Sequence, residues 1–280
     1  MNKSPGKRYG MIAGNGRFPK LALETALREG YEMVVVAIEN EATPELAALA
    51  SSLCWINIGQ LGKLIDIFKD ARISEVMMTG QVKHVSIFSD IKPDWKLMKL
   101  LASLKEKNTA ALIGGVQRVL RDEGIELVDS THLLKSLLAS EGVLTKRKPS
   151  KEEEADIRYG RKLAAVLATE DIGQSVAISD KACVAAEAME GTDAMLRRAA
   201  TLSNGRPLSL VKASRGRAHL LFDVPVVGLT TVQTMIETNT TSLAVDAGRT
   251  LLLDKEEMIR SADNAGLTIV GYPPLDGNRS

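Results

Sequence analysis

Aromatic side chains are scarce in this sequence, at 4% of 280 residues, so any core must be aliphatic; hydrophobic residues at 45% can supply one. Cysteine is nearly absent. Cys54 and Cys183 stand far apart, which excludes a disulfide framework and suits a reducing cytoplasm. Both fall inside apolar runs and read as buried structural thiols rather than nucleophiles. His84, His132 and His219 complete the soft-metal inventory, and no spacing among the five residues builds a zinc site. An excess of one charge is also missing. The net charge is +1, which removes the electrostatic case for nucleic acid. No apolar run reaches the ~18 residues of a membrane span. The opening MNKSPGKRYG is basic but lacks the apolar stretch of a signal peptide, so export is not expected. Neither a Walker loop nor a G-x-S-x-G elbow occurs.

What the chain does have is alternation. Residues 9–13 read as a strand running into Gly14-Asn15-Gly16-Arg17-Phe18-Pro19 and a helix over 21–29. Strand, glycine loop and helix open a nucleotide-binding α/β unit, although the third glycine of a dinucleotide fingerprint is missing. A plain βα turn explains the loop equally well. Strands over 32–38, 53–58 and 76–79 alternate with helical patterns over 44–50 and 60–69, which implies a parallel sheet. Ligands of such sheets sit beyond the carboxyl ends of the strands, where Gly14 to Phe18 and Thr79-Gly80-Gln81 fall. Helices over 95–105 and 110–123, a strand over 125–128 and a helix over 130–138 close a first domain near residue 140.

Residues 144–156, LTKRKPSKEEEAD, mark the sharpest shift in composition. They suggest a linker over 141–156 between domains at 1–140 and 157–280, with a helix over 151–168 whose acidic start needs no metal. The second domain opens with a hairpin, 174–179 and 183–188, turning at Asp180-Lys181. Strands over 207–213, 220–224, 242–245, 250–253 and 267–272 follow, with helices over 194–202, 255–265 and one capped by Thr230-Thr231. The fold class is therefore α/β: a Rossmann-like N-terminal domain plus a second α/β C-terminal domain.

Chemistry concentrates in the second domain. Glu190-Gly191-Thr192-Asp193 stands where a strand gives way to a helix. The free N–H groups and dipole of a helix start favour phosphate there. The plainer reading is a helix start with Thr192 as N-cap. Asp223 lies in the apolar run Phe222-Asp223-Val224-Pro225-Val226-Val227-Gly228, and a carboxylate so surrounded needs a partner, a metal or a reaction. Asp193, Asp223, Asp246, Glu187 and Glu190 stand at strand ends, with Lys212, Arg215 and Arg249 near in sequence. Hard carboxylates beside cations suit Mg2+ and a phosphate ester or anhydride.

Five motifs then occur in order: Ile12-Ala13-Gly14-x-Gly16-x-x-Pro19, Gly80-Gln81-Val82, Glu187-x-x-Glu190-Gly191-Thr192-Asp193-x-Met195-Leu196-x-Arg198, Leu210-Val211-Lys212, and Phe222-Asp223-x-Pro225-x-x-Gly228. Together they resemble the LpxI family of UDP-2,3-diacylglucosamine pyrophosphatases from about Tyr9 to Tyr272. The resemblance implies Mg2+-dependent hydrolysis of UDP-2,3-diacylglucosamine to UMP and 2,3-diacylglucosamine 1-phosphate in lipid A synthesis, with the lipid held between two domains. It implies Asp223 as the catalytic aspartate. Glu190, Asp193 and Asp223 become the expected metal ligands. Gly14, Asn15, Gly16, Phe18, Thr79, Gly80, Gln81, Gly191, Thr192 and Lys212 become the expected substrate contacts. Where the family tends to show G-D-D-A-L-L, this chain has Lys107-Asn108-Thr109-Ala110-Ala111-Leu112, without an acid. The implied partners are a lipid-linked nucleotide sugar and, transiently, the inner-membrane surface. The basic runs Lys146-Arg147-Lys148 and Arg215-Arg217 offer contacts to that surface. A homodimer is allowed, nucleic acid is not expected, and the location is cytoplasmic, peripheral to the inner membrane. Two rival readings remain: a nucleotide-sugar-binding protein without turnover, and a NAD-type reductase using the Gly14 loop with Glu39 after the second strand.

Overall fold

A computed structural model describes residues 7–80, 92–105, 109–215 and 224–275. The chain divides into two compact units between Leu133 and Leu134. The first unit holds strands β1 (Arg8–Ala13), β2 (Glu32–Ile38), β3 (Ser52–Ile56), β4 (Glu75–Thr79) and β5 (Glu126–Leu127). Its helices are α1 (Phe18–Glu29), α2 (Leu61–Asp70), α3 (Trp95–Ser103) and α4 (Thr109–Asp122). The strands form one parallel sheet in the order β3-β2-β1-β4-β5. β2 is buried continuously from Met33 to Ile38 because helices cover both faces, so its sequence is a run rather than an alternation. The chain steps from β1 outward to β3 and then returns to the other side of β1. A topological switch point therefore lies between β1 and β4, where such sheets bind ligands.

The second unit holds β6 (Gly142–Val143), α5 (Lys151–Thr169), β7 (Ser175–Ser179), β8 (Ala182–Ala186), α6 (Thr192–Leu202) and β9 (Leu208–Lys212). Then come β10 (Val226–Val227), α7 (Leu229–Glu237), β11 (Thr240–Asp246), β12 (Leu251–Leu252), α8 (Lys255–Asn264) and β13 (Thr268–Tyr272). Six strands pair in the order β6-β13-β11-β9-β7-β8, and β10 pairs with β12. β9, β11 and β13 run parallel; β6 and β7 run against their neighbours, and β8 against β7. The strand period of two decides the layers. Val211 and Ala244 face α5 together with Val176 and Ile178. Leu210, Leu243 and Val245 face the opposite way and pack with Met195, Leu196, Val232, Met235 and Met258. Full burial of each such side chain contributes about 1.5–3 kcal/mol.

The hairpin turn is where expected. Asp180 and Lys181 take positive φ of 51° and 58°, the handedness that joins two twisted strands. The linker expectation needs correction. Residues 141–156 are built into the second unit: Val143 pairs with Val270, and Leu144 N–H donates to Ile269 O at 2.8 Å. Arg147 forks onto Glu153 at 2.8 Å on both arms and donates to Thr241 O at 2.7 Å. Ser150 and Glu153 form a capping box at the start of α5. The polar composition that suggested a linker is thus consumed in fixed bonds. The cysteine expectation also fails: Cys183 is exposed on β8 and Cys54 is half-buried. β8 pairs only with β7 among the described strands and stands at one end of the sheet order. The strand expected over 220–224 falls outside the described residues except for Val224.

Candidate active site

In the first unit the switch point is shaped by backbone. Gly14 N–H donates to Thr79 O at 2.8 Å, tying the end of β1 to the end of β4. Thr79 is buried and its hydroxyl donates to Ile12 O at 3.4 Å. Gly80 has φ +80°, and a Cβ there would lie 2.5 Å from Asn15 O and 2.9 Å from Gly14 C. Only glycine lets the two turns meet. Gly14, Asn15, Thr79 and Gly80 therefore do come together; Gly16 follows them in the chain, and a Cβ there would meet nothing within 4 Å. Phe18 does not join them: it is buried in the core at the start of α1. Gln81, with Val82 and Lys83, lies outside the described residues.

In the second unit the site is built from side chains. β9 ends at Lys212, and the antiparallel register sets Ser175 of β7 directly opposite it. Lys212 is 6% exposed. Its ammonium donates to Thr192 Oγ1 at 2.9 Å and to Ser175 Oγ at 3.2 Å. Thr192 in turn donates to Glu187 Oε1 at 3.0 Å, and Glu187 Oε2 lies 3.8 Å from the Lys212 nitrogen. Glu187 is itself buried, and Oε2 accepts from Gln174 N–H at 3.3 Å. A chain of donors thus runs from an ammonium through two hydroxyls to a carboxylate. Buried charge is tolerated here because each member has a partner. Two of the three ammonium donors are used in hydrogen bonds within this network, with the Glu187 carboxylate beside them.

Thr192 is therefore not the N-cap. Gly191 caps α6 without a side-chain bond, and Thr192 is the first helical residue, its hydroxyl turned to Glu187 and Lys212. Thr230 and Thr231 do not cap α7 either: Gly228 does, and Thr231 donates to Asp193 Oδ1 at 3.0 Å. Glu190 bonds Arg198 at 2.5 Å and accepts from Ala188 N–H at 3.0 Å. The Arg198 guanidinium holds its carboxyl below the usual range. Glu190 and Asp193 thus have separate partners, Arg198 and Thr231. Among the described residues no three His, Cys, Asp or Glu side chains are placed to hold a metal ion. Asp223 lies outside the described residues, as do Lys107 and Asn108.

Asp246, at the end of β11, accepts from both the N–H and the hydroxyl of Ser214, at 2.7 and 2.8 Å. Arg215 is held by Asp171 at 2.8 Å. These bonds pin the chain where it leaves β9 toward Asp223. Sequence reasoning missed Ser175 and Ser214. Neither has a local signal, because each is defined by a partner more than thirty positions away.

The comparisons with known proteins cover the same two units. The LpxI N-terminal domain matches residues 8–137 and the LpxI C-terminal domain matches 140–270. A curated relative from Caulobacter vibrioides, the UDP-2,3-diacylglucosamine pyrophosphatase LpxI, is 30% identical across 96% of this chain and 99% of its own length. Among solved structures, a Hydrogenobacter thermophilus biotin carboxylase domain aligns with 74% of this chain and 44% of its own, at 10% identity and TM-score 0.28. The N5-carboxyaminoimidazole ribonucleotide synthetase of Thermotoga maritima aligns with 61% of this chain and 38% of its own, at 13% identity and TM-score 0.26. This chain spans less than half of either, and at those scores the likeness carries no argument.

Proposed function

The chain belongs to the LpxI family, and on that footing we propose that it hydrolyses the pyrophosphate bond of UDP-2,3-diacylglucosamine to UMP and 2,3-diacylglucosamine 1-phosphate, in lipid A biosynthesis. The observation that carries the reading is the match of both family domains across nearly the whole chain. The reductase and pure binding readings have no comparable support.

In this reaction water adds to one phosphorus, the bridging P–O bond breaks, and the leaving phosphate departs with the bond's electrons. Negative charge builds on the phosphoryl oxygens and must be met by prepositioned donors. Lys212 is proposed to give its remaining N–H to a phosphate oxygen, with the uncapped N–H groups after Gly191 as further donors. Gly14, Asn15, Gly16, Thr79 and Gly80 are proposed to meet the substrate through backbone. Asp223 is proposed as the catalytic carboxylate. Mg2+ is proposed to arrive on the diphosphate itself, since this ion usually takes one or two carboxylates plus substrate phosphates rather than an all-protein cage.

A substrate with two acyl chains resides in a membrane, so action at the cytoplasmic face of the inner membrane is part of the proposal. No helix among the described residues is long and apolar enough to cross one. A homodimer through the open side of β8 is proposed as the assembly, to be checked by sedimentation.

The direct test is hydrolysis of UDP-2,3-diacylglucosamine by the wild type and by Asp223→Ala, with Mg2+ and with EDTA. Asp223→Ala should melt like the wild type and still bind substrate, while kcat falls by several orders of magnitude, as for an interaction made only in the transition state. A folded variant with near-normal kcat would remove Asp223 from the chemistry. Undiminished turnover in EDTA would remove Mg2+.

A further inference from the structure

Of the basic residues expected to contact a membrane, Lys146 and Lys148 stand exposed, whereas two of the arginines are engaged elsewhere. Arg147 is taken up by Glu153, Thr241 O and Gly266 O. Arg215 has a side chain only 12% exposed and pairs with Asp171. Arg217 lies outside the described residues. Another surface has the required chemistry, on α3 of the first unit.

The inner face of α3 is buried through Leu97 and Leu100. Its outer face carries Trp95, 75% exposed, and Met98, 44% exposed. At a spacing of three these side chains are neighbours on the helix. Lys99 beside them is exposed, as are Lys92 and Lys105 just beyond the two ends. Two acids nearby among the described residues are already engaged. Asp94 is the N-cap, accepting from Leu97 N–H at 2.9 Å and Gly62 N–H at 2.6 Å. Glu123 takes both Lys69 and Lys96, whose hydrogen bonds hold its carboxyl down at about 2. The other exposed apolar side chains of helices, such as Val166 and Leu202, have no tryptophan beside them.

An amphipathic indole standing in water beside a thioether and ringed by lysines is the composition of an interfacial helix. At nine residues α3 is about 13 Å long, enough to lie in a membrane surface and far too short to cross it. We propose that the outer face of α3 docks on an anionic phospholipid bilayer. Trp95 and Met98 enter the boundary between headgroups and acyl chains, and Lys92, Lys99 and Lys105 lie over anionic headgroups. The charge complementarity selects an anionic bilayer over a neutral one. The proposal rests on the lipid-substrate reading above only for its biological purpose. One apolar pair plus three lysines gives weak, reversible attachment, which suits an enzyme that must leave its product.

The test is co-sedimentation of the full chain with vesicles of phosphatidylcholine, with and without phosphatidylglycerol. It is paired with hydrolysis measured in detergent micelles. The wild type should pellet with the anionic vesicles only, and less so as salt rises. Trp95→Ala should weaken binding. The triple change Lys92→Gln, Lys99→Gln and Lys105→Gln should weaken it by about fivefold per lysine. Both should keep wild-type turnover in micelles, because none of these residues belongs to the proposed site. Vesicle binding that both variants retain would overturn the proposal. So would a shift of Trp95→Ala to a smaller species in sedimentation velocity without vesicles, because a second copy would then cover the face. A wild type that binds anionic vesicles but is inactive in micelles would refute the hydrolase reading and leave the docking surface standing.

Discussion

Replacing Lys212 with methionine removes a buried cation at nearly constant length and leaves Glu187 behind. The side chains of the pair are 7% and 11% exposed, and the charges are 3.8 Å apart. At an effective dielectric of about 20 their attraction is about 4 kcal/mol. Desolvating each ion costs several kcal/mol, so the intact pair adds little net stability. Breaking it from one side is different. Glu187 would stay buried with Thr192 and the Gln174 N–H as partners but no cation, at a cost of about 3–5 kcal/mol. Urea denaturation followed by circular dichroism should show that loss, with a melting point lower by on the order of 10 °C. Glu187→Gln keeps an acceptor for Thr192 and should cost less, about 1–3 kcal/mol.

The double variant separates structure from chemistry. With both charges gone, stability should recover relative to Lys212→Met alone, giving a coupling of about 1 kcal/mol or more. Turnover should not recover, because no cation remains for the phosphate. If the two changes add to within about 0.5 kcal/mol, the pair is uncoupled and the network reasoning fails. If the double variant hydrolyses substrate at the wild-type rate, Lys212 has no part in the reaction.

Two further perturbations test how this network and its unit are held. Gly173→Ala would put a Cβ 2.2 Å from Glu187 O and 2.7 Å from its carbonyl carbon. It should cost about 1–3 kcal/mol and lower kcat/KM by displacing Glu187. The control Gly114→Ala, in α4 with nothing within 4 Å of the new carbon, should be neutral or stabilising in the same melts. Burial pushes the Glu153 carboxyl up, but Arg147, Thr241 and the Ser150 N–H pull it further down, so it rests below the ordinary carboxylate value. A depressed folded value means stabilisation that is complete above the unfolded value of about 4.3 and lost as pH falls through the folded one. Glu153→Gln should therefore melt below the wild type at pH 7, with the gap closing in acid. A gap that persists at pH 2 would assign the loss to packing alone.

The elements were legible in the sequence because each is announced locally. The run at 32–38 is a strand buried on both faces, and Asp180-Lys181 is a turn between two short apolar stretches. Pairing was not legible, because it joins residues that no period connects. Ser175 is a site residue only because β7 runs antiparallel to β9 and sets it against Lys212. The same limit explains the linker. Residues 144–150 look solvated by composition, yet Arg147 donates to Thr241 O in β11 and to Gly266 O before β13, about a hundred positions on. The same limit applies to the basic runs: charge counts do not show that Arg147 and Arg215 are already paired while Lys146 and Lys148 stand exposed.

The two units place their candidate groups by the same rule but with different materials. In the first, the close approach of Gly80 to Asn15 and Gly14 leaves no room for a side chain, so the switch point presents backbone. Backbone donors and acceptors accept a shape and tolerate small changes of ligand charge. In the second, the end of β9 carries an ammonium whose direction is set by Thr192, Ser175 and Glu187. A buried cation oriented by hydroxyls cannot follow a ligand that moves; it favours the geometry at which its remaining donor meets negative charge. Only interactions stronger in the transition state accelerate a reaction, so the variants at Lys212 are read in kcat as well as in stability. Fixed hydrogen bonds to Asp246 and Asp171 hold the residues that lead from β9 toward Asp223. The chain is thus anchored at Ser214 and Arg215, directly after the strand that carries Lys212.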